Sequence, residues 1–275
     1  MNVALRAKYN KLRRFIKEKG KEGAIVAFSG GVDSSTLAAV CFDVLGDHVV
    51  ALTAKSATYP CEELDDAERV AVEIGMKHYV VETHELSDEN FVCNPENRCY
   101  YCKGELLDVF RDFAIKLNFK AIFEGTNSSD LSGHRPGFKA VGERENVFSP
   151  WVEAKFTKED IRELAGELGL SVHDKPASPC LASRIPYGER ITEERLRRIE
   201  LAEKAVKGIT GVKEIRVRDH GTLARIEVGK GERDLLFNMR TMDEIARELK
   251  KLGYKFITMD LEGYRTGSLL ASPEA

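Results

Sequence analysis

The stretch Ser29-Gly30-Gly31-Val32-Asp33-Ser34-Ser35 constrains the chain more than any other. It follows Ala24-Ile25-Val26-Ala27-Phe28, a short apolar run after Gly23, and precedes Thr36-Leu37-Ala38-Ala39-Val40-Cys41, a good helix start. A bounded apolar run of this length reads as a buried strand, so the motif is a strand-to-helix turn. Adjacent glycines let the backbone turn sharply and approach a ligand. Amides at the helix N-terminus, with the hydroxyls of Ser29, Ser34 and Ser35, make an anion site. The lysine of the G-x-x-x-x-G-K-[ST] loop is absent, so this is not the usual P-loop. The competing reading is a Gly-Ser turn with no ligand.

Strands and helices then alternate. Residues 49–53, 77–83 and 120–125 read as strands, and 61–75 and 99–117 as helices, the latter with Leu106, Leu107, Phe110, Phe113, Ala114 and Leu117 on one side. Such alternation predicts an α/β fold, a parallel sheet with helices on both faces. Ligands on these sheets sit at the carboxyl ends of strands, where both the Ser29–Ser35 turn and Gly125-Thr126-Asn127 fall. Residues 127–142 show no clear period, and long irregular loops in compact domains are often functional. There Asp130 could take a ribose or a metal, and Arg135 a phosphate, against a plain surface loop.

Residues 175–188, Lys-Pro-Ala-Ser-Pro-Cys-Leu-Ala-Ser-Arg-Ile-Pro-Tyr-Gly, hold three prolines, which forbid a regular helix. This is either a stiff functional loop carrying Cys180 and Arg184 or a domain linker. Thr192 caps a long helix, after which the period changes to two. Residues 212–219 and 222–228 form a predicted hairpin about Asp219-His220-Gly221, followed by a helix at 244–252 and a strand at 254–259. The expected division is 1–190 and 191–275, the second a small α+β domain. Arg216 and Arg218 share one strand face: either a phosphate contact or the solvated side of a half-exposed sheet.

At 275 residues the chain can bury a large core, and 43% hydrophobic with 32% charged residues fits a water-soluble protein. A net charge of −3 argues against nucleic acid as a partner. No apolar run has transmembrane length, and residues 1–20 lack a signal-peptide core, so a cytoplasmic location is expected. Residues 1–20 instead carry Leu5, Tyr9, Leu12, Phe15 and Ile16 at helical spacing, a packed helix rather than a membrane-surface one. Six cysteines without a secretory signal point to metal or catalytic use rather than disulfides. Cys99-Tyr100-Tyr101-Cys102 opens a helix, which favours thiolates. It could be a redox pair, half a zinc site or two ligands of an iron–sulfur cluster. Cys93 and Cys180 could join it, whereas Cys41 reads as core.

Taken in order, Ser29–Ser35, Cys99-x-x-Cys102, Glu124-Gly125-Thr126-Asn127 with Asp130 and His134-Arg135-Pro136-Gly137, and Ser178-Pro179-Cys180-Leu181-Ala182-Ser183-Arg184-Ile185-Pro186-Tyr187-Gly188 resemble the LarE family of ATP-dependent sulfur transferases. The likeness runs through Gly263-Tyr264-Arg265-Thr266-Gly267. It implies a PP-loop ATP pyrophosphatase fold, HUP/Rossmann-like, with a C-terminal domain for substrate binding and oligomerisation. Family members adenylate a carboxylate of a pyridinium dicarboxylate mononucleotide, releasing pyrophosphate, and a protein-bound sulfur displaces AMP to give a thiocarboxylate for the nickel-pincer cofactor.

Carried over residue by residue, Ser29, Gly30, Gly31, Asp33, Ser34, Ser35, Gly125, Thr126, Asn127 and Asp130 would bind ATP and Mg²⁺. Asp33 and Cys180 would be catalytic. Arg135, Arg184, Arg216, Arg218 and Arg265 would hold the nucleotide substrate. Some members sacrifice the sulfur of the cysteine at the position of Cys180; others hold a 4Fe-4S cluster on three cysteines. The extra pair here implies a cluster on Cys99, Cys102 and Cys180 loaded by an outside sulfide donor, in a homo-oligomer (trimer or hexamer). The rival readings are a cluster-dependent tRNA thiolase, an ammonia-using synthetase and a non-enzymatic ATP sensor.

Overall fold

A computed structural model describes residues 1–132, 136–176 and 179–265. Arg135 and His134, with Ser178 and the C-terminal tail from Thr266, lie outside the described residues. In chain order the elements are α1 (Val3–Lys19), β1 (Ala24–Ala27), α2 (Val32–Leu45), β2 (Val49–Lys55), α3 (Cys61–Ile74), β3 (His78–Glu82), α4 (Glu89–Val92), α5 (Arg98–Lys116), β4 (Ala121–Phe123), α6 (Pro136–Gly142), β5 (Val147–Phe148), α7 (Pro150–Glu153), α8 (Lys158–Glu167), α9 (Glu193–Thr210), β6 (Ile215–His220), β7 (Leu223–Val228), α10 (Met239–Lys251) and β8 (Phe256–Met259).

Two compact units result. The first holds Met1–Asp88 with Asn97–Ser178; the second takes Glu89–Glu96 and everything from Pro179. The sequence reading drew one boundary at 190. The contacts divide the chain near 178 and also carry 89–96 into the second unit. The cause is Asn94, fully buried at φ 57°, whose Nδ2 donates to the carbonyls of Pro186 at 2.7 Å and Glu189 at 3.0 Å.

The first unit is built on a five-stranded sheet of order β3-β2-β1-β4-β5, parallel throughout. This is the α/β architecture that the alternation predicted. β1 and β2 read as continuous apolar runs because both faces are covered. One face is packed by α1, α2, α3 and α8, with Leu5, Leu12 and Ile16 of α1 buried. The other is packed by Leu107, Phe110 and Ala114 of α5. Each fully buried leucine or isoleucine contributes about 1.5–3 kcal/mol. Helix α8 starts with a complete capping box between Thr157 and Asp160.

The described parts of the stretch 127–142, residues 127–132 and 136–142, turn out more regular than its lack of period suggested. Asn127 Oδ1 accepts from Ser129 N at 2.9 Å, a 3-10 turn follows over Ser128–Ser132, and Pro136 opens α6.

In the second unit β6 and β7 form the predicted hairpin and β8 joins β7 in parallel. Ile215, Val217, Ala224, Ile226 and Val228 share an apolar core with Val206 of α9 and Leu249 of α10. The opposite face of β6 corrects the solvated reading: Arg216 and Arg218 are only 6% and 5% exposed. Among the described residues, no helix is long and apolar enough to cross a membrane.

Candidate active site

The strand order places a topological switch point between β1 and β4, because the chain runs outward from β1 through β2 to β3 on one side and then crosses back to β4 on the other. Loops at the carboxyl ends of those two strands flank a crevice, the usual ligand position of an open parallel sheet. Here the β1 loop is the Ser29–Ser35 turn and the β4 loop is Glu124–Asn127.

Gly30 adopts φ 67°, and a Cβ there would lie 2.8 Å from the Ala67 backbone of α3, so only glycine fits. Gly31 differs: its φ of −84° is ordinary, and a Cβ would meet only Ser29 Oγ at 3.4 Å. The fold does not demand that glycine. The turn is stiffened by Ser34 Oγ, which accepts from Ser29 N at 3.1 Å and donates to the Gly31 carbonyl at 3.2 Å. Ser35 Oγ is buried with no hydrogen-bond partner. Helix α2 starts at this turn with no side-chain cap, which puts the positive end of its dipole at the β1 loop.

Asp33 sits in the first turn of α2, where Trp151 Nε1 donates to its carbonyl at 3.1 Å. Its carboxylate receives Asn127 Nδ2 at 3.3 Å and forms an ion pair with Lys158. Gly125 packs directly on this turn: a Cβ there would stand 3.4 Å from Ser34 N and 3.5 Å from Asp33 Cβ. Asp130 Oδ2 accepts from Asn127 N at 3.2 Å, so Asp130 shapes the β4 loop. The predicted nucleotide residues of both loops therefore converge.

Sequence reasoning missed two cations. Lys158, at the start of α8, reaches Asp33; Lys175 Nζ lies 3.3 Å from the Gly30 carbonyl and is held by Glu63 at 3.1 Å and Asp66 at 2.8 Å. Nothing local marks either, because a lysine beside a helix cap or a proline usually faces solvent. Burial pushes the Asp66 carboxyl up, but Lys175 and Arg69 outweigh it and hold its pKa below the ordinary value. Sequence reasoning also gave no role to Glu124. It is 1% exposed and accepts from Lys103 Nζ at 3.0 Å, Thr126 Oγ1 at 2.7 Å, Thr126 N at 3.2 Å and Ser149 Oγ. Burial raises its pKa, but Lys103 and the hydroxyl donors hold it below the ordinary carboxylate range.

Cys99 and Cys102 occupy the first turn of α5, Cys99 exposed and Cys102 half-buried. Gly137 of α6 packs on that turn, where a Cβ would stand 3.3 Å from the Cys99 carbonyl. Burial pushes the Cys41 thiol well up, as befits a core residue.

Cys180 belongs to the second unit, half-buried at the start of a 3-10 turn over Leu181–Arg184. Arg184, 1% exposed, is committed inside this unit. It grips Glu203 through Nε at 2.9 Å and Nη2 at 3.1 Å, and donates Nη1 to the carbonyls of Pro179 at 2.6 Å and Cys180 at 3.1 Å. Arg218 binds Glu227 at 2.7 and 3.0 Å and the Ser183 carbonyl at 2.9 Å. Arg216 lies over the Tyr264 ring, 4.7 Å from its centroid. Burial, then the neighbouring Arg184, lowers its pKa. Arg265 is more exposed and pairs with Glu262. Among the described residues, no three His, Cys, Asp or Glu side chains gather as a metal site.

Comparison with known proteins bears on both units. The NAD synthase family matches residues 4–94, which include the β1–α2 turn. An uncharacterised protein of Synechocystis is 41% identical over 96% of this chain and 97% of its own length. The pyridinium-3,5-bisthiocarboxylic acid mononucleotide synthase of Lactiplantibacillus plantarum is 36% identical over 91% of this chain and 90% of its own. A tRNA-specific 2-thiouridylase of Parvibaculum lavamentivorans is 29% identical over 63% of this chain and 52% of its own. A parallel sheet with its turn at the switch point, and a relative aligned across both units, place the chain in the LarE family of PP-loop ATP pyrophosphatases, as an ATP-dependent sulfur-transferring enzyme.

Proposed function

We propose that this enzyme adenylates a carboxylate of a pyridinium dicarboxylate mononucleotide and converts it to a thiocarboxylate for a nickel-pincer cofactor. The observation that carries the first half is the crevice at the β1–β4 switch point, where Asp33, Asn127 and Lys158 meet at an uncapped helix N-terminus. A carboxylate is a poor electrophile, and adenylation gives it a leaving group. The amides of the turn and the Lys158 ammonium suit the negative charge that collects on departing pyrophosphate. Asp33 is the carboxylate there that would carry Mg²⁺. Gly31, which the fold leaves unconstrained, keeps room for the phosphate chain.

The sulfur half rests on Cys99, Cys102 and Cys180. Two thiols on one turn at a helix N-terminus fit the thiolate donors of an iron–sulfur cluster, and Cys180 is a third of the same type. Three thiolates leave one iron of a 4Fe-4S cluster without a protein ligand. When bound, such a cluster supplies an exchangeable sulfide as the nucleophile. Arg184 holds the Cys180 carbonyl and so fixes the backbone from which that thiol projects. Arg216, with Arg218 and Arg265, would meet the phosphate or second carboxylate of the substrate. The apolar side chains of Phe237, Met239 and Phe256, left exposed on the second unit, support a homo-oligomer.

The test is anaerobic purification with iron and sulfide analysis, followed by turnover with ATP, substrate and sulfide. Substrate-dependent pyrophosphate release and a thiocarboxylate product are expected. ATP binding without pyrophosphate release would leave a nucleotide sensor, and thiolation of tRNA instead would leave the thiolase reading.

A further inference from the structure

One ion pair, its carboxylate buried and its ammonium half-buried, joins the cysteine turn of α5 to the nucleotide loop after β4, both within the first unit. Lys103 follows Cys102 directly, and its Nζ reaches Glu124 Oε2 at 3.0 Å. Glu124 is the last residue before Gly125, whose backbone packs on Asp33 and Ser34. The carboxylate is 1% exposed and its remaining acceptor positions are filled by Thr126 and Ser149. A buried carboxylate so committed cannot follow a moving partner without losing hydrogen bonds, and breaking a buried pair is costly. A displacement of the Gly125 loop would therefore reach α5 through Lys103. The second support of the turn is steric: Gly137 lies against the Cys99 carbonyl and would stand 3.6 Å from Lys103 Cβ if it had a Cβ. The cysteine turn is thus pinned between α6 and the nucleotide loop.

We infer that Lys103 is a positioning residue that couples occupancy of the ATP crevice to the placement of Cys99 and Cys102, with Glu124 as its anchor. This deepens the proposed function, since it assumes that the crevice and the two cysteines serve one reaction. Its failure is separable, because it is read from thiol reactivity in metal-free protein rather than from product.

The experiment measures iodoacetamide alkylation of each cysteine by mass spectrometry, with and without Mg²⁺ and a non-hydrolysable ATP analogue. Cys93, on the second unit, is the internal reference. In the unaltered protein the analogue should slow Cys99 and Cys102 roughly fivefold or more, the low end of ordinary coupling between two sites. Lys103→Met removes the tie at similar size and leaves Glu124 its hydrogen bonds from Thr126 and Ser149. It should keep analogue binding and lose the slowing, while Lys103→Arg should retain it. Equal slowing in Lys103→Met, no slowing in the unaltered protein, or loss of analogue binding in Lys103→Met would each overturn the inference.

Discussion

The side-chain amide of Asn127 donates to Asp33 Oδ1 at 3.3 Å, although 94 positions separate them in the chain. That bond closes the β4 loop on the β1–α2 turn and makes one crevice of two motifs. Lys158 meets the same carboxylate from a third direction. Asp33 is thus the point where three elements of the first unit are read together.

Replacing it is the most direct test of the crevice. Asp33→Ala should abolish ATP–pyrophosphate exchange. The side chain is partly exposed, so the cost in stability should stay within about 1 kcal/mol, the range of a charge in the first turn of a helix. Normal exchange in the variant would remove the turn from the active site.

Lys158 offers a test on a residue that the sequence did not single out. Lys158→Met should weaken ATP binding by about 1.5–3 kcal/mol, the ordinary range for a charge-assisted hydrogen bond. Calorimetric titration with a non-hydrolysable analogue reads this directly. Unchanged affinity would confine Lys158 to its pair with Asp33.

On the second unit, Arg216→Ala should weaken binding of the mononucleotide substrate by roughly 1.5–3 kcal/mol without altering ATP affinity. The guanidinium is buried against Tyr264, and that burial, then Arg184, lowers its pKa, so an anion beside it would favour its charged form. If substrate affinity does not move, Arg216 is a structural brace of β6.

Loss of H₂S from Cys180 in step with product would mean that this thiol is itself the sulfur source. The proposed cluster predicts the opposite: an intact Cys180 after several turnovers, iron lost in Cys99→Ala, and iron kept in Cys93→Ala. Intact-mass spectrometry and iron analysis decide it.

His78 gives a pH test away from the chemistry. Thr53 Oγ1 donates to the Phe28 carbonyl, so His78 Nε2 must donate to Thr53 at 2.7 Å. Burial lowers the His78 pKa below 6.5, against a smaller opposite effect of Glu68. Its folded pKa lies below its unfolded one, so the unfolded chain takes up the proton first. The stability it contributes is present above pH 6.5 and is lost as pH falls through the folded pKa. The thermal midpoint should decline below pH 6.5, and His78→Gln should flatten that part of the profile. An identical profile in the variant would assign the decline to other groups.

What the sequence determined by itself is local. The apolar run at 24–28, the glycines and the following helix start name a strand–turn–helix anion site because each acts within a few residues. Strand–helix alternation then fixes a parallel sheet, and the cysteine spacing places two thiols on one helical turn. Tertiary structure decided what required distant partners. Period-two alternation gave Arg216 and Arg218 one face of β6, but not that Tyr264 and Glu227 cover it. Nothing near Asn94 announces that its amide will hold the carbonyls of Pro186 and Glu189, so 89–96 could not be assigned to the second unit. Glu124, Lys158 and Lys175 look like ordinary surface charges until folding removes water and leaves each facing an opposite charge. Propensity, capping and period act between neighbours in the chain, whereas burial of a charge depends on which remote segment covers it.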